Sequence, residues 1–210
     1  MNTQAFIPSG PREVSGVLLA GGKSRRFGGG DKCLQTLDGK TLLERAALNA
    51  APQVGALMLN INGEAERFPD LGLPILCDSI EGHAGPLAGV LSAMECVASH
   101  APQSRWIATF ATDAPFIPVN WVARVRAAIT RERADLGTVS SNGRTHPVFG
   151  LWPVDLRFDL RKAMEEEGLR KVDEWTGRYN VATVDFEAND KDPFFNINTA
   201  EDLSQAATLV

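Results

Sequence analysis

The sequence predicts an α/β fold: a Rossmann-like three-layer sandwich around a mostly parallel sheet. Three observations carry that expectation. Short apolar runs alternate with segments of helical period for about 130 residues. Several of these runs end at Gly, Asp or Pro, as buried strands do where they leave a sheet. No repeat, low-complexity tract or composition break divides the 210 residues.

The elements follow in order. Val14–Ala20 is an apolar run closing on glycines and is predicted as the first strand. Thr41–Ala51 sets Leu42, Leu43, Ala46, Ala47 and Ala50 at helical spacing. Gly55–Ile61 and Pro74–Cys77 are the next expected strands, the latter stopping at Asp78. Pro86 opens a helix, since the N–H that proline lacks has no intrahelical partner in the first turn. Arg105–Ala111 is a strand running into Asp113, and Trp121–Arg131 is helical. The pattern then changes: Asn142-Gly143 within Thr138–Leu151 predicts a tight hairpin. Asp155–Glu167 and Lys171–Gly177 are expected helices and Asn180–Phe186 a strand. Thr199–Ala207 closes the chain as a helix, with Thr199 and Asp202 in capping-box positions. Residues 1–13 are read as a disordered lead-in and 14–210 as one domain.

Composition narrows the function. A net charge of −5 argues against a general attraction to nucleic acid or to an anionic membrane surface. No apolar run approaches the length of a membrane span. The three cysteines, Cys33, Cys77 and Cys96, have no C-x-x-C spacing, so neither a disulfide framework nor a thiolate metal site is expected. A reducing cytoplasm is the expected location.

The chemistry gathers in "AGGKSRRFGGGDK", which follows the first strand. Thirteen residues hold five glycines and the cations Lys23, Arg25, Arg26 and Lys32. Glycine lets a backbone approach an anion closely, and arginine grips phosphate oxygens in a bidentate way. In an open parallel sheet the ligand sits beyond the carboxyl ends of the strands, where this segment lies. It is not a P-loop, because the spacing from Gly22-Lys23-Ser24 puts Val17 where the first glycine should be. Nor does it contain G-x-G-x-x-G. A phosphate-binding loop of another kind is implied.

"LLAGGKSRRFGGGDKCLQTLDGKTLL" resembles the signature of the nucleoside-triphosphate transferase superfamily, with Phe27 where methionine is usual. "LAGG", the "GGxDK" ending and "GPLAG" narrow the resemblance to the molybdenum cofactor guanylyltransferases, which join GMP from GTP to molybdopterin. Together with "LNING", "LCDSIEGHAGPLAG", "FATDAPFIP", "RTHPVFGL" and "FFNINTAEDL", the likeness spans Val14 to Leu203. It implies nucleotide contacts from Leu19, Ala20, Gly21, Gly22, Lys32, Asn60, Asp78, Gly85 and Asp113. Lys32, Arg26 and Asp113 are implied as the catalytic set, with Asp113 on Mg²⁺. His146, Asn196 and Asn198 are implied on the acceptor side. GTP, molybdopterin or molybdenum cofactor, and accessory cofactor-insertion proteins are the implied partners.

Taken one at a time, these residues also fit plainer roles. Asp113 and Asp78 suit turns after strands, His146 a structural hairpin histidine, and Asn198 the approach to the Thr199 cap. Three alternatives stay open: a cytidylyltransferase on the same cofactor, whose loop usually reads LAAG; a sugar-phosphate nucleotidyltransferase; and a non-catalytic nucleotide sensor. Gly21 is the discriminating position, because the missing methyl group is expected to leave room for a purine.

Overall fold

The computed structural model describes residues 8–21, 31–80, 82 and 85–210. In chain order they form β1 (Val14–Leu19), β2 (Thr36–Leu37), β3 (Lys40–Thr41), α1 (Leu42–Ala50), β4 (Ala56–Ile61), β5 (Ile75–Cys77) and α2 (Pro86–His100). Then come β6 (Trp106–Ala111), α3 (Trp121–Glu132), β7 (Leu136–Ser141), β8 (Arg144–Pro153), α4 (Arg157–Glu165), α5 (Val172–Thr176), β9 (Val181–Asp185) and α6 (Ala200–Ala207).

Seven strands make one sheet in the order β5-β4-β1-β6-β8-β7-β9. Every pairing is parallel except those of β8, which runs antiparallel to both β6 and β7. The carboxyl ends of β5, β4, β1, β6, β7 and β9 therefore share one edge, and β8 begins there.

Burial on both faces explains the strand sequences. Along β1, Val14 and Leu18 pack with α1 and α3, through Leu43, Ala46, Trp121 and Val125. Val17 points the other way, into a core with α2, α4 and α5 that includes Leu87, Leu91, Leu160 and Trp175. Strands covered on both sides read as continuous apolar runs, which is why β1 and β6 show no alternation. The three layers match the expected fold class.

Local signals account for the element ends. Thr41 caps α1 in a complete capping box with Glu44, and Thr199 does the same for α6 with Asp202. Pro86 stands in the first turn of α2. Asn142 and Gly143 both take positive φ, +50° and +71°, the conformation a two-residue hairpin turn requires. The small β2–β3 hairpin, turning at Asp38-Gly39, has strands of two residues, too short for hydrophobic periodicity to reveal. The expected helix at Asp155–Glu167 starts as a 3-10 turn, Val154–Leu156, before α4.

Of the lead-in read as disordered, 1–7 lie outside the described residues. Beyond them the chain is tied down: Ser9 N–H donates to Ala51 O and Gly10 N–H to Val54 O. Polar composition hid this, because the anchoring groups are backbone.

Candidate active site

The end of β1 is fixed from both neighbouring strands. Ala20 N–H donates to Asn60 O at 2.9 Å, and the Thr112 hydroxyl, past the end of β6, donates to Leu19 O at 3.0 Å. Asn62 Nδ2 reaches Gly21 O at 3.2 Å. Leu19, Ala20 and Gly21 thus leave the sheet with their peptides held on two sides. Gly22, Lys23 and Arg26 lie outside the described residues.

The chain re-enters at a short 3-10 turn, Lys32–Leu34. Asp31 before it forms a two-oxygen ion pair with Arg67, and Cys33 within it is buried. Burial, helped by the Asp31 charge, pushes the Cys33 thiol up to about 12, so it packs as an apolar group. With both neighbours anchored, the Lys32 side chain has a defined starting point. Its ammonium lies 2.5 Å from Asp113 Oδ2 and 2.9 Å from Asn198 Oδ1.

Asp113 and Asn198 come from distant parts of the chain. Asp113 stands two residues beyond β6, and its carbonyl accepts Ile197 N–H at 2.9 Å. Asn198 precedes the Thr199 cap, and its N–H donates to the Asp202 carboxylate at 2.7 Å. One backbone bond and one cap therefore bring a loop 85 positions away against the end of β6. Asn196 stands two positions before Asn198, its Oδ1 buried without a hydrogen-bond partner among the described residues.

A second group lies at the ends of β4 and β5. Asn60 is buried, and its Nδ2 donates to Leu76 O at 3.2 Å and to Asp78 Oδ1 at 2.9 Å. Ser79 N–H donates to the Ser92 hydroxyl of α2 at 2.7 Å. Gly85 caps α2 at φ +78°, a left-handed conformation that glycine adopts without strain. Asp78 is thereby aimed by Asn60, while α2 holds the backbone after it.

His146 does not join either group. It is buried, its Nε2 lies 2.7 Å from the Ser141 hydroxyl, and its ring packs against Phe194 with centroids 5.1 Å apart. Ser141 in turn donates to Asp192 Oδ1 at 2.6 Å, and the same oxygen accepts Phe194 N–H. Desolvation holds His146 below its ordinary value; Arg144 adds to the effect and Asp192 opposes it.

Comparison with known proteins identifies the family. A MobA-like NTP transferase domain matches residues 16–181. The chain belongs to the MobA-like NTP transferase family. Among relatives, the molybdenum cofactor guanylyltransferase of Bradyrhizobium sp. (strain ORS 278) is 50% identical over 93% of this chain and 92% of its own. That of Rhodopseudomonas palustris (strain HaA2) is 44% identical over 95% and 93%. The crystal structure of molybdopterin-guanine dinucleotide biosynthesis protein A from Archaeoglobus fulgidus superposes with a TM-score of 0.71 at 22% identity, covering 93% and 97% of the two chains. At that identity it shows a shared fold.

For a MobA-like NTP transferase, the residues that motif reading missed are the supporting ones. Asn62 stands two positions from Asn60, on the same side of the chain by the alternation of a strand, and that spacing was available in "LNING". Arg67, Thr112 and Asp192 carry no such signal; only their contacts single them out. Gly21 also has a structural reason to be glycine. A Cβ there would lie 2.5 Å from Asn62 Nδ2, so the glycine makes room for the Asn62 amide.

Among the described residues no cluster of three His, Cys, Asp or Glu side chains could hold a metal ion. The oxygens of Asp113 and Asn198 nevertheless already share one cation, the Lys32 ammonium. A single carboxylate with amide oxygens suits Mg²⁺, which relies on substrate phosphates and water for the rest of its shell. The residues fit such an ion.

Proposed function

We propose that this chain transfers GMP from GTP to molybdopterin, releasing pyrophosphate and forming a guanine dinucleotide cofactor, with Mg²⁺ as the metal. One observation carries the reading: Lys32, Asp113 and Asn198 converge at the carboxyl edge of the sheet, at the end of the glycine-rich segment. The names of relatives that align over nine-tenths of the chain support it.

In this reading a terminal phosphate oxygen of molybdopterin attacks the α-phosphorus of GTP in line, and the bond to the β-phosphate oxygen breaks. The attacking group is already an anion, so no protein nucleophile or base is required. The obstacles are repulsion between like charges and the charge that builds on pyrophosphate. Lys32 and Arg26 meet that charge as cations. Asp113, with the Asn198 amide, would hold the divalent ion, whose charge would offset that of phosphate oxygens. Asp78, aimed by Asn60, accepts the N1–H and N2–H of guanine. Leu19, Ala20, Gly21 and Gly22 present backbone to the nucleotide, and Gly85 opens the helix beside it. Asn196 lies on the acceptor side, and His146 serves that side through Ser141 and Asp192. No helix among the described residues is long and apolar enough to cross a membrane, and the cytoplasm, where accessory insertion proteins would take up the product, is the proposed place of action.

The deciding experiment incubates purified protein with molybdopterin, Mg²⁺ and each of GTP, CTP and ATP in turn, and identifies products by mass. GMP transfer is the expected result. CMP transfer would move the chain to the cytidylyl branch, and no transfer from any nucleotide would reject the enzyme reading.

A further inference from the structure

Lys32 occupies a position that a catalytic cation needs. Its ammonium, 2.5 Å from Asp113 Oδ2 and 2.9 Å from Asn198 Oδ1, fills the space between the two hard oxygens proposed for the metal. A Mg²⁺ ion bound there demands oxygens at about 2.0–2.1 Å and a near-octahedral shell that keeps water molecules. An ammonium hydrogen-bonded to the same carboxylate oxygen blocks part of that shell and repels the incoming charge.

We infer that Lys32 is an internal placeholder for the metal: it excludes a divalent ion from Asp113 and Asn198 until a nucleotide triphosphate draws the ammonium away. The inference rests on the proposed use of these residues in nucleotidyl transfer, and adds an order to it.

The local structure allows this exchange. The Lys32 backbone is fixed, because Gln35 N–H donates to Lys32 O, Leu34 N–H donates to Asp31 O, and Asp31 is clamped by Arg67. Only the flexible four-carbon side chain has to swing. That side chain is about one-fifth exposed, as is Asp113, so the pair stands at the mouth of the site and is not sealed in the core. A triphosphate arriving there offers several anionic oxygens in competition with the Asp113 carboxylate, and lysine meets them as a compact charge on a flexible stem. Once the ammonium has moved to phosphate, Asp113 and Asn198 are left with acceptor oxygens turned toward a common point. Metal and nucleotide then bind with positive coupling. Coupling of that kind is reciprocal, so the metal also favours the conformation in which Lys32 is on the phosphates.

The arrangement has a use. A divalent ion held permanently at Asp113 would bind free phosphate and pyrophosphate and occupy the site with product. With Lys32 in its place, the empty site carries no excess positive charge at that point.

The test reads metal binding without turnover. Mn²⁺ is titrated into nucleotide-free protein and the bound fraction followed by electron paramagnetic resonance, for wild type, Lys32→Met and Lys32→Met/Asp113→Asn. Lys32→Met is expected to bind Mn²⁺ about 5–150-fold more tightly than wild type, the usual span of coupled sites. The double variant should lose that gain. Lys32→Ala provides a second single variant should methionine disturb folding, which thermal melting reports. Equal Mn²⁺ affinity in wild type and the single variants would overturn the inference, as would a gain that survives loss of Asp113. These outcomes are separable from the transferase reading. Guanylyl transfer with no Mn²⁺ gain rejects the placeholder alone, whereas the gain in a protein that binds GTP but transfers nothing rejects the transferase and leaves the placeholder standing.

Discussion

The two halves of the sheet's carboxyl edge are built differently. Below β1, β4 and β5, the candidate residues sit at strand ends or immediately after them, and short contacts to neighbouring strands hold them. Asn60 on β4 reaches Leu76 O and Asp78 at the end of β5, and Asn62 reaches Gly21 after β1. Beyond β6 the equivalent residues arrive on an irregular segment. Residues 186–199 contain no helix or strand, and they are held by Asp192 against the β7–β8 hairpin and by Ile197 against Asp113. The parallel half inherits its geometry from regular pairing. The other half has to build its geometry from individual hydrogen bonds, so single substitutions there should act locally.

The largest expected effect lies where the halves meet. Asp113→Ala should lower kcat by about 10²–10³-fold, the loss that follows removal of one charge-stabilising group. Its melting temperature should stay near wild type, because the carboxylate is part-exposed and its carbonyl keeps the Ile197 bond. Undiminished transfer in this variant, or in excess chelator, would remove Asp113 from the metal.

Next comes a test of the parallel half. Gly89 of α2 lies against Asn60: a Cβ there would come within 2.4 Å of Asn60 Oδ1 and 2.7 Å of Leu19 Cδ2. Gly89→Ala should destabilise the fold by about 1–3 kcal/mol through overpacking. Displacing Asn60 also releases Asp78, so the Kd for GTP should rise while residual kcat changes less. A variant with wild-type GTP affinity, measured by calorimetry, would show that Asn60 does not aim Asp78.

The matching test on the irregular half is Asp192→Ala. It leaves the Ser141 hydroxyl and Phe194 N–H without their shared acceptor, at about 1–3 kcal/mol for a buried unsatisfied group. The KM for molybdopterin should increase with GTP affinity unchanged. Equal weakening of both substrates would mean that the two halves are not independent.

The smallest effect is a pH dependence. Because desolvation lowers the His146 pKa from 6.5, the folded chain binds fewer protons at this residue than the unfolded chain does. Its contribution to stability is therefore complete above pH 6.5 and is lost as pH falls through the lowered value. The Asp192 charge moderates the change and Arg144 adds to it. Melting temperatures of wild type and His146→Gln, compared from pH 7.5 down to 5, should converge as the pH drops. Carboxylates held low, such as Asp159 beside Tyr179 and Trp175, act in a more acidic window. Parallel curves for the two proteins would place the acid sensitivity elsewhere.

Much of the architecture was legible in the chain itself. Continuous apolar runs in β1 and β6, the capping threonines, Pro86 and Asn142-Gly143 each constrain only nearby backbone, and neighbours in sequence are enough to reveal such constraints. Asp78 and Asp113 were visible for the same reason, since a polar group closing an apolar run stands out; Asn60, inside its strand, was marked by the family resemblance alone. What only the tertiary structure decided is which of them touch. It joined Lys32 to Asp113 and Asn198 across 81 and 166 positions. It turned His146 toward Ser141 and Asp192, and gave the space beside Gly21 to Asn62. Residue type and spacing record what a side chain can do. The partner it finds depends on loop closures and crossovers between strands, and local sequence does not encode these one residue at a time.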